Sequence, residues 1–143
     1  MARVALVTDS TAYLPADLVS SHGITVVPVQ VVVAGQAFDE GTQITPHEVA
    51  EALRAWKVVT TSRPSPERFA SAYAAAAEAG ATAVVSAHLS GDMSGTVDSA
   101  ALAAKESPIP VRVVDTRNVA MAMGFGVLDG AHVAESGADV DDV

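Results

Sequence analysis

The sequence predicts an α/β domain in which a mostly parallel sheet carries helices on both faces. Three observations lead there. Short apolar runs rich in β-branched residues recur along the chain, as in strands covered on both sides. Segments with helical start and stop signals lie between most of them, the alternation of a parallel α/β sheet. The length of 143 residues suits one domain with a core that needs no covalent staple.

The elements follow in order. Residues 3–7 form the first apolar run, leading into Thr8-Asp9-Ser10-Thr11. Residues 15–21 read as a short helix that Gly23 closes at a C′-like position. Residues 24–33 are the longest apolar run and are expected as a strand. Thr45-Pro46-His47-Glu48 starts a helix: Thr45 caps, Pro46 fits the first turn, and Glu48 completes a capping box. Val49, Leu53 and Trp56 then recur at helical spacing. Residues 58–61 give another strand, and Ser65-Pro66-Glu67 opens an Ala-rich helix ending at Gly80.

Residues 83–87 and 111–114 are the last strands, each followed by a helix, over 94–105 and 119–134. The final helix contains Gly124, Gly126 and Gly130. A helical glycine costs about 1 kcal/mol against alanine, so these positions need a reason. Close helix–sheet packing is one; room for a ligand chain along that helix face is the sharper alternative.

Charge and composition narrow the function. Lys and Arg number 8 against 17 Asp and Glu, for a net charge of −9. The scattered cations make no phosphate-tracking footprint, which excludes nucleic acid and leaves an anionic membrane only a transient encounter. The chain has no cysteine, which excludes disulfides, thiolate metal sites and cysteine nucleophiles and fits a reducing, cytoplasmic address. Mean hydropathy is high, at +0.33, yet no apolar stretch reaches the 18 residues of a membrane span. The apolar content must fill buried strands, line a ligand cavity, or form a face awaiting a partner.

Ligands of an open parallel sheet bind beyond the carboxyl ends of its strands. Small hydroxyl residues collect there: Thr8–Thr11, Thr60-Thr61-Ser62, Ser90 to Thr96, and Asp115-Thr116. Each alone reads as a helix cap. Converging on one sheet edge, they would suit a carboxylate or phosphate. Catalytic readings are thinner. Met93-Ser94-Gly95 is not a nucleophile elbow, and the four histidines fall on separate segments. His88 reads as a satisfied core or surface residue. No metal-ligand spacing, phosphate loop or dinucleotide fingerprint occurs. Asp9 and Asp115 could serve as acid and base but more often such carboxylates orient turns. No catalytic residue and no metal site is assigned.

Four blocks together carry a family resemblance: Val7-Thr8-Asp9-Ser10-Thr11 with Leu14-Pro15; Thr60 to Pro66; Leu89-Ser90-Gly91-Asp92-Met93-Ser94-Gly95-Thr96 with Ser99-Ala100; and Val114-Asp115-Thr116-Arg117 with Met123-Gly124. In this order they resemble the DegV family, fatty-acid-binding proteins that serve bacterial fatty acid kinase. The resemblance implies a carrier that buries a long-chain fatty acid and presents its carboxylate to a separate kinase subunit, with no cofactor beyond the lipid. It also implies that residues 1–143 are the N-terminal α/β domain, with the family's second domain missing.

Carried over residue by residue, Thr61 and Ser62 match the family's Thr-Ser block, and Ser90, Ser94, Gly95 and Thr96 its serine-rich block. With Asp9 and Ser10 they form the expected ligand set, while Met93, Met123 and Phe125 are expected to border the tail cavity. Arg63 and Val97 depart from the family, which usually has a neutral residue and an aromatic at these positions. A face normally covered by a second domain would drive association. The first alternative is therefore an interaction module that forms a homo-oligomer through that face. The second is a hydrolase using Ser90 or Ser94, which would need a general base within reach.

Overall fold

The computed structural model describes residues 3–143. Four parallel strands form the main sheet: β1 (Val4–Asp9), β2 (Thr25–Val27), β6 (Ala83–His88) and β7 (Val111–Asp115), in the order β2-β1-β6-β7. Three more, β3 (Gln30–Val33), β4 (Gln36–Asp39) and β5 (Val59–Ser62), form a separate antiparallel sheet in the order β4-β3-β5. The helices are α1 (Ala16–Ser21), α2 (Pro46–Arg54), α3 (Pro66–Glu78), α4 (Thr96–Ala104) and α5 (Met121–Glu135).

The sheet is covered on both faces at its central strands β1 and β6, as the sequence pattern predicts, while the edge strands β2 and β7 are partly exposed. On β1, Val4 and Leu6 face α5, joined there by Val85, Met123, Val127 and Ala131. Val7 faces the other way, with Val84, Phe69 and Tyr73 of α3 and Ala100 of α4. Alternation along each strand makes this partition, and β6 is buried at every position. The strand between two covered faces is therefore near-continuous in apolar residues, broken only by Ser86 and His88.

The capping box on α2 forms: the Thr45 hydroxyl accepts from the Glu48 N–H at 3.3 Å, and Glu48 Oε2 accepts from the Thr45 N–H at 2.8 Å. Gly23, at φ 60, follows α1 as expected. In α5, close packing explains Gly124, where a Cβ would lie 2.8 Å from the Ala12 carbonyl oxygen. It does not explain Gly126, where a Cβ would meet nothing within 4 Å.

Three expectations change. The run 24–33 is two strands in two sheets. Pro28 has no N–H to donate, and the chain turns there from the parallel sheet into the antiparallel one. The strand at 58–61 belongs to that second sheet, where β5 pairs antiparallel with β3 (Val31↔Thr61). β4 was not anticipated, because Gln36-Ala37-Phe38-Asp39 is too polar to register as an apolar run. It returns from β3 through Ala34-Gly35, both at positive φ, the conformation of a two-residue hairpin. The helical spacing also ends early: Leu53, 56% exposed, lies near the end of α2, whose buried residue is Ala52, and Trp56, 94% exposed, lies beyond the helix at φ 55.

Candidate functional site

The main sheet changes direction between β1 and β6: one connection from β1 leads to β2 on its outer side, and β6 inserts on the other. Such a switch point opens a crevice at the carboxyl ends of the two strands. Residues 9–12 and 88–96 meet there.

Asp9 organises the crevice. Its Oδ1 accepts from the Thr11 N–H at 3.0 Å and the Thr11 hydroxyl at 2.5 Å. Its Oδ2 accepts from the Leu89 N–H at 3.1 Å and lies 3.0 Å from His88 Nδ1. Because a carboxylate can only accept, the Nδ1 proton is donated to it. On the far side of the ring, His88 Nε2 lies 2.7 Å from Ser86 Oγ, which lies 2.9 Å from the Tyr73 hydroxyl. All four side chains are fully buried. Burial pushes the Asp9 carboxyl up, but hydrogen bonds from His88 and Thr11, the His88 charge and the Leu89 N–H together leave it below its ordinary value.

This chain has the hydrogen-bond order of a serine–histidine–aspartate triad, but it is sealed. Ser86 and His88 are both 0% exposed, and Phe69 packs edge-on against the imidazole at 4.9 Å between centroids. A nucleophile must reach its substrate, so the arrangement works as a brace: it holds Leu89, and with it the start of the following loop, against β1. The sequence marked Asp9 and left His88 as a satisfied core or a surface residue; it is the first of these. Ser86 and Tyr73 were missed. Their signal was present in β6, whose two polar residues, Ser86 and His88, fall on one face of a strand with no exposed position.

Other loops brace the same region. The Thr116 hydroxyl donates to the His88 carbonyl at 2.8 Å, and the Ser90 N–H to the Asn118 carbonyl at 2.9 Å. Asp115 Oδ1 accepts from the N–H groups of Gly91 and Arg117. The Ala120 N–H donates to the Thr11 carbonyl at 2.8 Å.

The expected ligand residues fall into two groups. Asp9 and Ser10 are engaged in structure. The Ser10 hydroxyl donates to Glu40 Oε2 at 2.6 Å and accepts from the Val29 N–H at 3.0 Å, which ties β1 to the antiparallel sheet. Glu40 also accepts from the Tyr13 hydroxyl; burial first, then the Glu40 hydrogen bond and charge, push the Tyr13 phenol up to about 12. Asp9, Ser10 and Tyr13 line a cavity of about 240 Å3 there. Ser90 is nearly buried, and its Oγ accepts from the Asp92 N–H at 3.3 Å.

The second group meets across the two sheets. Ser94 Oγ lies 2.9 Å from the hydroxyl of Thr96, the first residue of α4. Thr61 and Ser62, at the end of β5, are exposed. The next residue, Arg63, lies across Gly95, donating from Nη1 to its carbonyl at 3.5 Å. The Thr61–Arg63 and Ser94–Thr96 segments are thus brought together, though they come from different sheets.

The expected tail residues do not share one environment. Met123 is 1% exposed in the core against β1, whereas Met93 is 63% and Phe125 64% exposed. The hydroxyls of Ser90 and Ser94 have Asp92 and Thr96 as their partners, not an imidazole. Among the described residues no three His, Asp or Glu side chains are grouped to hold a metal ion. No helix among them is long and apolar enough to cross a membrane.

A family model described as "Uncharacterised protein, DegV family" matches residues 3–143. A DegV domain-containing protein of Streptomyces coelicolor is 55% identical over 98% of this chain and 50% of its own length. One from Deinococcus radiodurans is 43% identical over 98% of this chain and 50% of its own. Among solved structures, a DegV family protein from Thermus thermophilus, described by its fatty acid binding, superposes with a TM-score of 0.92. It shares 43% identity and covers 98% of this chain and 50% of its own. DegV of Bacillus subtilis, described as a fatty acid binding protein, gives 0.93 at 31% identity, over 99% and 51% of the two chains. The chain spans about half the length of the relatives it matches.

Proposed function

The chain belongs to the DegV family, and on that premise we propose that it is the N-terminal domain of a long-chain fatty acid carrier. It holds the lipid carboxylate at the loops described above and presents it to a separate cytoplasmic kinase, without bond chemistry of its own. Thr61, Ser62, Ser94 and the first turn of α4 are the head-group contacts. Asp9 and Ser10 hold the loops from behind, and Met93 and Phe125 lie along the tail path. The observation that carries this reading is the approach of the Thr61–Arg63 segment to the Ser94–Thr96 segment across two sheets. Hydroxyls and N–H groups there can bind one carboxylate, and hydrogen bonds to a charged group are about twice as strong as neutral ones. The tail adds about 0.8 kcal/mol for each buried CH2.

Organic extraction of the purified chain with mass spectrometry tests the reading. A fatty acid at one equivalent is the expected result. A chain that arrives empty and takes up no added fatty acid would overturn it for these residues alone.

A second reading has its own observation. Leu53, Trp56 and Val58 are all exposed at one end of the antiparallel sheet, Trp56 almost completely. On this reading they form a face through which the domain pairs with a second copy. Sedimentation should then show a dimer that dissociates on dilution and is lost in Trp56→Ser.

A further inference from the structure

Gly95 has an ordinary backbone, with φ −76 and ψ 18, so its conformation does not require glycine. What glycine admits here is the side chain of Arg63, which would have to shift for any larger residue. A Cβ at position 95 would lie 2.2 Å from Arg63 Nη1 and 3.0 Å from its Cδ. Glycine here leaves a gap at the start of α4, and the arginine fills it.

Arg63 is held there loosely. Its one hydrogen bond is long, at 3.5 Å, and the Gly95 carbonyl it reaches already accepts the Ser99 N–H at 3.1 Å. Arg54, Arg68 and Arg112 each pair with a carboxylate, those of Glu51, Asp39 and Asp141. Among the described residues Arg63 has no such partner, in a chain of net charge −9. A guanidinium offers five donors in a planar fork matched to a carboxylate. Its other donors have no hydrogen-bond partner among the described residues, and the side chain lies on Gly95, between Ser94 and Thr96.

We propose that Arg63 is the counter-charge of the bound head group and makes the site selective for an anionic lipid over a neutral one of equal chain length. The inference rests on the carrier reading above. On binding, the guanidinium exchanges the Gly95 carbonyl for the lipid carboxylate, and the gap over Gly95 gives it the room to do so.

Binding of hexadecanoic acid and of hexadecanol to the full chain, compared with Arg63→Gln and Arg63→Lys, tests this. Arg63→Gln should weaken the acid about tenfold, the scale of one partly exposed charge-assisted contact, and leave the alcohol unchanged. Arg63→Lys should retain part of the preference, and added salt should shrink it in the unaltered chain. Equal losses for acid and alcohol, or no loss for either, would overturn the assignment of Arg63 while leaving the carrier reading in place. If the unaltered chain binds neither lipid, the carrier reading fails and takes this inference with it.

Discussion

At the carboxyl ends of the parallel sheet, polar side chains are buried and bonded to one another: Asp9, His88, Ser86 and Tyr73 form a chain with no water-facing member. At the end of the antiparallel sheet, Thr60, Thr61, Ser62 and Arg63 are exposed, and Arg63 has one long hydrogen bond. The residue types are similar, and both regions border the same crevice. The difference lies in whether a side chain's hydrogen-bonding capacity is used within the protein. Where it is used among buried groups, the residue fixes geometry; where the side chain is exposed, as at Thr61 and Arg63, the residue can serve a ligand. A binding site needs both kinds, since contact groups must rest on a shell that does not move.

The largest effect that can break this contrast is on stability. Asp9→Asn leaves His88 buried without its carboxylate and should cost about 3–5 kcal/mol, lowering the Tm by more than about 10 °C. Calorimetry reads this directly, and a loss below about 1 kcal/mol would mean the buried chain is not a brace. The pH dependence has a definite sign. The folded Asp9 carboxyl lies below its ordinary 3.8, so its contribution is complete above that value and is lost as pH falls through the lower, folded one. Acid melting of the unaltered chain should therefore steepen below about pH 4, and Asp9→Asn should lose that component.

A smaller effect separates the glycines of α5. Gly124→Ala drives a methyl toward the Ala12 backbone and should cost about 1–3 kcal/mol. Gly126→Ala meets nothing and should stabilise the helix by about 1 kcal/mol. If the lipid tail lies along that face, Gly126→Ala will also weaken fatty acid binding. Thermal melts and lipid titration of the same two proteins give both answers.

The smallest stability effect belongs to the exposed side. Thr61→Val should change stability by less than about 0.5 kcal/mol while weakening fatty acid binding about tenfold. Denaturant titration checks the first and lipid titration the second. A stability loss comparable to that of Asp9→Asn would erase the distinction between the two regions.

Much of the parallel half was legible because its signals are local. The β-branched runs of β1, β6 and β7, the Thr45–Glu48 box and the Gly23 stop each declare themselves within a few residues. The antiparallel sheet was not, because its formation depends on Pro28 diverting the chain and on Ala34-Gly35 adopting positive φ without the usual Asn-Gly signal. The helical spacing of Val49, Leu53 and Trp56 has a related limit: the helix ends at Arg54, and Trp56 leaves its face at positive φ. At the site, the hydroxyl-bearing loops are visible in the sequence, but the bonds that Asp9 and Ser10 make within the fold are not. Those depend on Leu89, His88 and Glu40, partners 30 to 80 residues away in sequence.

That separation has a kinetic side. β1 pairs with β6 from Val4↔Ala83 to Thr8↔Ala87, a constant offset of 79 residues. The strand made first thus waits for one made much later before it acquires its inner neighbour. Closing so large a loop is slow, because its entropy is lost before the contacts repay it. During synthesis β1 has only the three-residue pairing with β2 to lean on. The Asp9–His88 brace, with the same 79-residue offset, cannot form earlier. Refolding experiments should find the loops of the crevice ordering in the last, slowest phase, together with the centre of the sheet.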